Sequence, residues 1–289
     1  MRAFHDWVQL TKFRIQALST TAALICAWIA GDGELPLLRA LHLVVGLSLT
    51  SSAAAILNQV LEVEVDARMR RTAARPLPTG RVALRTALPV GLGCAGVGVA
   101  WLAWFLDPMA AWMALVMVVS YVFVYTPLKR LTPFNTLIGA FPGAMPLLVG
   151  YAAAGRGLDL RAGILFLILF LWQFPHFFAI AWLHRDDYAR GGLRMLTGVD
   201  PHGAAGARQG AVWAVALLPA SLLPVLLDFA GALYLWGALA LSLVFLATAV
   251  LFALERTTAH ARLVLRTSIV YLPLLFALLA IDFARSLPS

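Results

Sequence analysis

Long apolar stretches recur along the whole chain of 289 residues, and charged residues fall mainly between them. About 20 predominantly apolar residues are enough to cross a bilayer as a helix. The stretches are continuously apolar, as in "AGILFLILFLWQF", whereas strands of a membrane barrel alternate apolar and polar positions. The pattern therefore predicts nine transmembrane helices, over residues 15–31, 41–61, 87–106, 109–126, 135–154, 162–183, 211–227, 232–254 and 267–284.

The composition agrees with a membrane protein. Hydrophobic residues make up 62% of the chain and charged residues 12%, and the mean hydropathy is +0.86. These values lie well outside the range of a water-soluble globular domain. There is no Pro/Gly/Ser-rich linker and no soluble module, so we expect a single all-α domain over residues 1–289. The first apolar stretch lacks a clear cleavage site and is interpreted as a retained helix.

The distribution of Lys and Arg predicts the orientation. With the N-terminus in the cytoplasm, most of the 22 basic residues become cytoplasmic, as the positive-inside rule requires. The net charge of +8 then reflects topology and attraction to anionic lipid or an anionic substrate, and it does not indicate nucleic-acid binding. Cys26 and Cys94 both lie within predicted helices and suggest neither a disulfide nor a metal pair.

One polar stripe marks the cytoplasmic end of the second predicted helix. Asn58, Glu62 and Asp66 are four residues apart and share a helix face, whereas Glu64 points elsewhere. Acids on one face repel each other unless a cation lies between them, and Mg²⁺ favours carboxylate and amide oxygens. The stripe predicts a metal site, although the acids of a solvated helix end would also pair with nearby arginines such as Arg70.

An arginine-rich loop comes directly after the stripe. It contains five arginines interleaved with Pro76 and Pro78, namely Arg68, Arg70, Arg71, Arg75 and Arg81. Guanidinium forks suit phosphate oxygens, and prolines stiffen the loop that presents them. Carboxylates beside such a loop are what binding a diphosphate ester requires. The positive-inside rule alone explains the arginines' side of the membrane, but it does not explain the neighbouring acids.

Two further charged segments are predicted on the same side. They are "WQFPHFFAIAWLHRDDYARGG" at residues 172–192 and "YTPLKRLTPFNT" at residues 125–136. The side chains expected to join the site are His184, Arg185, Asp186, Asp187, Tyr188, Arg190, Lys129 and Arg130. Three charged loops over an apolar bundle suggest a long apolar substrate whose anionic head lies at the cytoplasmic rim.

The fifth predicted helix carries Gly139, Gly143 and Gly150 together with Pro142 and Pro146. Small residues let membrane helices approach closely, so we expect close packing or a kink there without a catalytic role.

The stripe N-x-x-x-E-x-x-x-D resembles the first acidic motif of the UbiA superfamily of intramembrane prenyltransferases. More specifically, "RTAARPLPTGR", "YTPLKRLTPFNTLIGAFPGAMP" and "LWQFPHFFAIAWLHRDDYARGG" resemble the protoheme IX farnesyltransferase (heme O synthase) family within it. The resemblance runs from about residue 10 to the last helix. It implies nine transmembrane helices around a central cavity and an enzyme that transfers the farnesyl group of farnesyl diphosphate to a vinyl group of heme B. Addition of water completes the reaction, which gives heme O and diphosphate.

The resemblance also implies roles for particular residues. Asn58, Glu62 and Asp66 hold Mg²⁺ and the diphosphate, with Asp186 and Asp187 as further metal ligands and Asp187 as a catalytic residue. The implied diphosphate contacts are Arg71, Arg75, Lys129, Arg130, Arg185 and Arg190. Many members carry a second D-x-x-x-D motif, but here Arg190 and Gly191 stand four residues after Asp186 and Asp187. Either one carboxylate suffices for a second ion, or Arg185 and Arg190 bind diphosphate directly.

His176 resembles the histidine of the family's "PHF" motif and is a candidate ligand of heme iron. The alternative is a histidine bonded to a carbonyl freed by the kink at Pro175. Trp172, Gln173 and Tyr125 are candidates for lining the porphyrin cavity, although aromatic residues in membrane helices more often pack or form an interfacial belt.

The implied surroundings are the lipid bilayer, a bacterial inner membrane with the active site facing the cytoplasm, and a heme A synthase or terminal oxidase assembly factors as partners. Two alternatives stay open. The chain prenylates an aromatic quinone precursor instead of heme, or it is a transporter. Against a transporter, the sequence shows no internal repeat and its acids cluster at one membrane face.

Overall fold

The structure, a computed structural model, describes residues 2–196, 200 and 202–287, and regular structure in this part of the chain is helical throughout. The helices are α1 Arg2–Thr11, α2 Phe13–Ala30, α3 Leu37–Leu61, α4 Val63–Arg68, α5 Leu84–Phe105, α6 Pro108–Leu128, α7 Asn135–Ala152, α8 Leu160–Leu183, α9 Arg185–Arg190, α10 Ala204–Leu226, α11 Ala232–Glu255 and α12 Thr258–Ser286.

Each of the nine predicted segments falls on one of these helices. Within the described ranges, seven helices are long and apolar enough to cross a membrane, and an eighth span results if the pair Ala3–Thr11 and Ile15–Ala30, bent by 50°, counts as one. Helix α7, with its internal Pro142 and Pro146, is not among them. The all-helical membrane fold is confirmed, whereas the count of nine crossings and the cytoplasmic N-terminus stay predictions.

The helices pack as two sets, one containing α3 and α5 and the other containing α10, α11 and α12. Consecutive pairs α3–α5, α10–α11 and α11–α12 pack side by side, while α2 lies against α7 and α8 contacts α7, α10 and α12. Helices α2, α7 and α8 therefore join the two sets. The outer surface exposes large apolar side chains such as Trp104 and Trp236, as contact with lipid requires.

Glycines on α7 permit close approach, as predicted. A Cβ on Gly150 would lie 2.1 Å from the Ala23 carbonyl oxygen, so the backbones of α7 and α2 touch at this point. Gly143 faces the Gln173 amide, and Gly139 faces the Tyr125 ring, to which a Cβ would come within 2.4 Å. Each glycine therefore makes room for a specific neighbour.

Charged residues at the end of the bundle away from the arginine-rich loop terminate helices. Asp107 caps α6, where its carboxylate accepts a hydrogen bond from the Met109 amide at 2.7 Å, and an Asp-Pro turn thus separates α5 from α6. Arg39 donates from Nε to the Ala153 carbonyl at 2.6 Å, beyond the end of α7. These residues satisfy backbone groups that lipid cannot hydrogen-bond.

Candidate active site

The predicted stripe lies at a break in the second spanning helix. Helix α3 ends at Leu61 and α4 begins at Val63, with Glu62 between them. The backbone ladder nevertheless continues, because the Glu62 amide bonds to the Asn58 carbonyl at 3.0 Å and the Asp66 amide to the Glu62 carbonyl at 2.8 Å. The expected continuous helix is thus interrupted, but the i,i+4 spacing survives. All three stripe residues are buried, and Glu64 is exposed as predicted.

Asn58 and Glu62 are joined to α6. The Asn58 amide donates to Glu62 Oε2 at 2.8 Å and to Thr126 Oγ1 at 3.0 Å. Thr126 comes after a π-helical turn at Ser120–Tyr125 and donates to the Tyr121 carbonyl at 2.8 Å. Such turns insert one residue and change which side chains face a site. Tyr121 and Tyr125 belong to this turn, and both line the pocket.

Lys129 compensates the charge of Glu62. Its Nζ donates to Glu62 Oε2 at 2.9 Å and lies 4.6 Å from the centre of the Tyr125 ring. Burial disfavours the ammonium, but the Tyr125 hydroxyl and the Glu62 carboxylate outweigh this, so the pKa of Lys129 is raised above its ordinary value. Lys129 therefore stays charged within the site.

Asp66 is held by the arginine-rich loop. Arg75 donates from Nη1 to Asp66 Oδ2 at 2.7 Å, and the Thr72 hydroxyl donates to the Asp66 carbonyl at 2.8 Å. The loop thus folds back over its own acidic stripe. The expected alternative partner, Arg70, contacts a different acid, since its backbone amide donates to Asp187 Oδ1 at 3.0 Å.

Asp187 connects the third charged segment to the first. Its carboxylate accepts from the Arg70 amide and pairs with Arg190. The hydrogen bond from Arg190, opposed by burial and supported by the Arg70 amide, holds the pKa of Asp187 below its ordinary value. Beside it, the Tyr188 hydroxyl accepts a hydrogen bond from Arg71 Nη2 at 3.4 Å. Helix α9 is thereby docked onto the arginine-rich loop.

These contacts enclose a pocket of about 110 Å³. Its charged and amide-bearing lining residues are Lys12, Asn58, Glu62, Asp66, Arg71, Arg75 and Lys129, and its phenols are Tyr121, Tyr125 and Tyr188. Four cations face two carboxylates, so the pocket carries an excess of positive charge that suits a multiply charged anion. Met69, Leu193 and Met195 supply an apolar edge.

One carboxylate oxygen in this pocket has no protein partner. Glu62 Oε1 is buried and accepts no hydrogen bond from the residues that the structure describes. Both side-chain hydrogen bonds of Asn58 are donated by Nδ2, so neither of them involves the side-chain oxygen Oδ1. Searched over the described residues, no three His, Cys, Asp or Glu side chains form a metal cluster. A hard cation that takes Glu62, Asp66, the Asn58 oxygen and substrate phosphate oxygens fits this donor set.

Several predicted site residues are not brought to this pocket. Arg185 lies over the Trp182 ring at 4.3 Å and donates to the Trp182 carbonyl at 2.9 Å. Asp186 and Arg130 are exposed. Arg81 turns away from the pocket and pairs with Asp6 at 3.0 Å. The partner of a long side chain depends on tertiary contacts that spacing along the sequence does not specify.

The predicted heme contacts lie deeper in the bundle, except Tyr125. His176 Nδ1 lies 2.7 Å from Ser268 Oγ, and its ring stacks on Trp172. Trp172 donates to the Ser268 carbonyl at 3.0 Å, and the buried Gln173 amide donates to the Ala140 carbonyl at 2.9 Å. Gln173 and Trp172 thus join α8 to α7 and α12. A heme contact for any of them stays a prediction.

Two polar pocket residues, Lys12 and Tyr121, were not predicted from the sequence to lie in the site. Lys12 stands among other polar and charged residues of the first segment, such as Asp6 and Arg14, so its residue type did not distinguish it. Tyr121 gave no signal either, because it lies in a local π-helical turn that the sequence pattern does not indicate.

Comparisons with known proteins agree with this architecture. The sequence model of the UbiA prenyltransferase family matches residues 17–279. A protoheme IX farnesyltransferase of Solibacter usitatus (strain Ellin6076) is 46% identical over 288 residues, which cover 96% of this chain and 98% of that protein. Another protoheme IX farnesyltransferase, from Koribacter versatilis (strain Ellin345), is 42% identical over 291 residues, 96% of this chain and 93% of that protein.

Solved structures share the fold at low sequence identity. A structure of digeranylgeranylglyceryl phosphate synthase superposes with a TM-score of 0.82 at 17% identity and covers 99% of this chain and 100% of its own. A UbiA homolog from Archaeoglobus fulgidus bound to DMAPP and Mg²⁺ has a TM-score of 0.68 at 13% identity, over 96% of this chain and 99% of that one.

Proposed function

This chain belongs to the UbiA prenyltransferase family, and we propose that it transfers the farnesyl group of farnesyl diphosphate to a vinyl group of heme B, with addition of water, to give heme O and diphosphate. The observation that carries the proposal is the pocket itself: paired acids, one carboxylate oxygen without a partner and an excess of cations lie beside an apolar helical bundle. The names of the similar proteins supply the acceptor.

The diphosphate binds in the polar pocket. Asn58, Glu62 and Asp66 would hold Mg²⁺ through the free Glu62 Oε1 and neighbouring oxygens, and the ion, when bound, neutralises phosphate charge. A Mg²⁺-bound relative of the same fold supports this assignment. Arg71 and Arg75 offer planar donor forks to phosphate oxygens, and Lys129 offers a point charge.

The chemistry begins when the allylic C–O bond breaks and its electron pair leaves with the diphosphate. Arg71, Arg75 and Lys129 stabilise the charge that develops on the departing oxygens. Tyr121 and Tyr125 line the pocket, where their electron-rich rings stabilise the farnesyl cation, and the apolar bundle keeps water from quenching it. The heme vinyl carbon attacks the cation, water adds to the neighbouring carbon, and one proton is released.

His176 is the proposed ligand of heme iron. The Ser268 hydroxyl donates to the Leu265 carbonyl at 2.7 Å, so the 2.7 Å contact with His176 is donated by Nδ1–H of the imidazole. The lone pair then lies on Nε2, the form of neutral imidazole that ligates iron. Stacking on Trp172 fixes the ring plane. Ser268 thus orients the His176 imidazole through the ring nitrogen that does not bind iron.

The bacterial inner membrane is the proposed location, with the pocket on the cytoplasmic side where the basic loops collect. An enzyme that oxidises the farnesylated heme further, or a terminal oxidase that incorporates it, must take up the product from the bilayer.

The proposal is tested with purified protein in detergent, heme B, farnesyl diphosphate and Mg²⁺, with the pigment followed by mass spectrometry. We expect a gain equal to one farnesyl plus one hydroxyl group that disappears with a chelator. Prenylation of an aromatic quinone precursor, with heme B unchanged, would contradict the proposed acceptor.

A further inference from the structure

Lys12 occupies an unusual backbone position beside the pocket. It joins α1 to α2 with φ 54° and ψ 40°, in the left-handed region. A residue with a Cβ adopts this conformation only at a cost in free energy, because its Cβ approaches the following carbonyl oxygen. Such strain persists where surrounding contacts over-determine it, and it often accompanies function.

Those surrounding contacts are present on both sides of Lys12. Leu10 is fully buried against Ile56 and Leu77. The Gln59 amide donates to the Leu10 carbonyl at 2.7 Å, and Asp6 pairs with Arg81 at 3.0 Å. Helix α1 is therefore tied to α3 and to the arginine-rich loop, which fixes the backbone of Lys12 relative to the pocket.

The Lys12 side chain lines the pocket without a counterion of its own. Lys129 and Arg75 each pair with a pocket carboxylate, at 2.9 Å and 2.7 Å. Over the ranges that the structure describes, the Lys12 ammonium makes neither an ion pair nor a hydrogen bond, although it is half-buried. A partly desolvated cation has lost some of its hydration, so binding an anion beside it stabilises its charge strongly.

We propose that Lys12 binds the diphosphate of the prenyl substrate, so that the junction of α1 and α2 forms one side of the substrate site. The proposal rests on the proposed function and adds a residue to it. Because the Lys12 charge is not committed to a carboxylate, it acts on the phosphate oxygens directly. The Lys12 ammonium contributes a point charge on a flexible side chain. Replacing Lys12 with arginine keeps this charge, so binding should suffer less than with a neutral residue.

The test measures binding of farnesyl thiodiphosphate, an unreactive analogue, in the presence of Mg²⁺ by titration calorimetry on the full chain in detergent. We expect Lys12→Gln to weaken binding about tenfold and Lys12→Arg to weaken it much less, since a charge-assisted contact is lost only in the first variant. Arg208→Gln removes an exposed arginine outside the pocket and serves as the matched control.

Wild-type affinity in folded Lys12→Gln, with weaker binding in Arg71→Gln, would overturn the proposal. If Lys12→Gln does not fold, Lys12→Met keeps most of the stem and decides the question by the same titration. If wild-type protein binds the analogue but does not farnesylate heme B with farnesyl diphosphate, the proposed acceptor is refuted and the role of Lys12 is not. Wild-type protein that binds no analogue contradicts both.

Discussion

Lys129 Nζ lies 2.9 Å from Glu62 Oε2, while Oε1 of the same carboxylate is buried without a hydrogen-bond partner among the described residues. One oxygen of Glu62 is thus neutralised from within the protein, and the other is available to a ligand. This division explains how a carboxylate is kept at the edge of an apolar bundle and still presents an open coordination position.

Replacing Lys129 with Met should destabilise the protein, because both side chains of the pair are only 12% and 10% exposed and Glu62 would lose its charge partner. Removing one member of a buried pair costs about 3–5 kcal/mol. Thermal unfolding in detergent should show a midpoint lowered by roughly 5–10 °C. The double variant Glu62→Gln/Lys129→Met should recover most of this loss. A double variant as unstable as Lys129→Met alone would refute the pairing argument.

Asp187→Asn should loosen the connection between α9 and the arginine-rich loop, whereas Asp186→Asn should have a smaller effect. Asp187 is bonded to Arg190 and to the Arg70 amide, and Asp186 is exposed. Thermal unfolding of the two variants at pH 7 checks this difference. Equal destabilisation by the two substitutions would contradict it.

The effect of Asp187→Asn should also depend on pH. Because the folded-state pKa of Asp187 is lowered, its carboxylate stabilises the fold above the unfolded-state value of about 3.9, and this contribution is lost as the pH falls through the folded-state pKa. The difference in unfolding midpoint between wild type and Asp187→Asn should therefore shrink below about pH 4. A difference that grows in acid would have the wrong sign.

Gly150→Ala should be destabilising by about 1–3 kcal/mol. Its Cβ would lie 2.1 Å from the Ala23 carbonyl oxygen, and two helix backbones have no flexible side chain with which to relieve the clash. Gly163→Ala in α8 is the matched control, because a Cβ there meets nothing within 4 Å. Thermal melting of the two variants should separate them, with Gly163→Ala no less stable than wild type.

His176→Ala should remove the proposed axial ligand and change the absorption spectrum of bound heme B. Added imidazole should restore the spectrum, and His202→Ala, in an exposed loop, should leave it unchanged. Ser268→Ala removes the acceptor of the Nδ1–H bond and should weaken heme binding less than His176→Ala. An unaltered heme spectrum in folded His176→Ala would exclude the iron-ligand role.

Periodicity in the sequence was enough to predict the helices and the polar stripe. Each of the nine apolar segments falls on a helix, because lipid forces every backbone group into internal hydrogen bonds. The spacing of Asn58, Glu62 and Asp66 also placed three polar groups in one pocket, since the i,i+4 ladder continues across the break at Glu62.

The partners of individual charged side chains were harder to predict. Arg81 pairs with Asp6 and Arg185 lies on Trp182, because long cationic side chains have several partners within reach and packing decides among them. Lys12 escaped prediction for a different reason. Its place in the pocket depends on the bend between α1 and α2, which no periodicity indicates.

The most direct test of the central claim compares Glu62→Gln with Glu64→Gln in the heme farnesylation assay. Glu62 lines the pocket and Glu64, two residues away, is exposed. We predict that Glu62→Gln lowers kcat/KM for farnesyl diphosphate at least about 100-fold, because the variant loses a carboxylate that would hold the ion needed for diphosphate departure, while Glu64→Gln keeps the wild-type rate. A folded Glu62→Gln variant with wild-type activity would contradict the claim that diphosphate departs in this pocket.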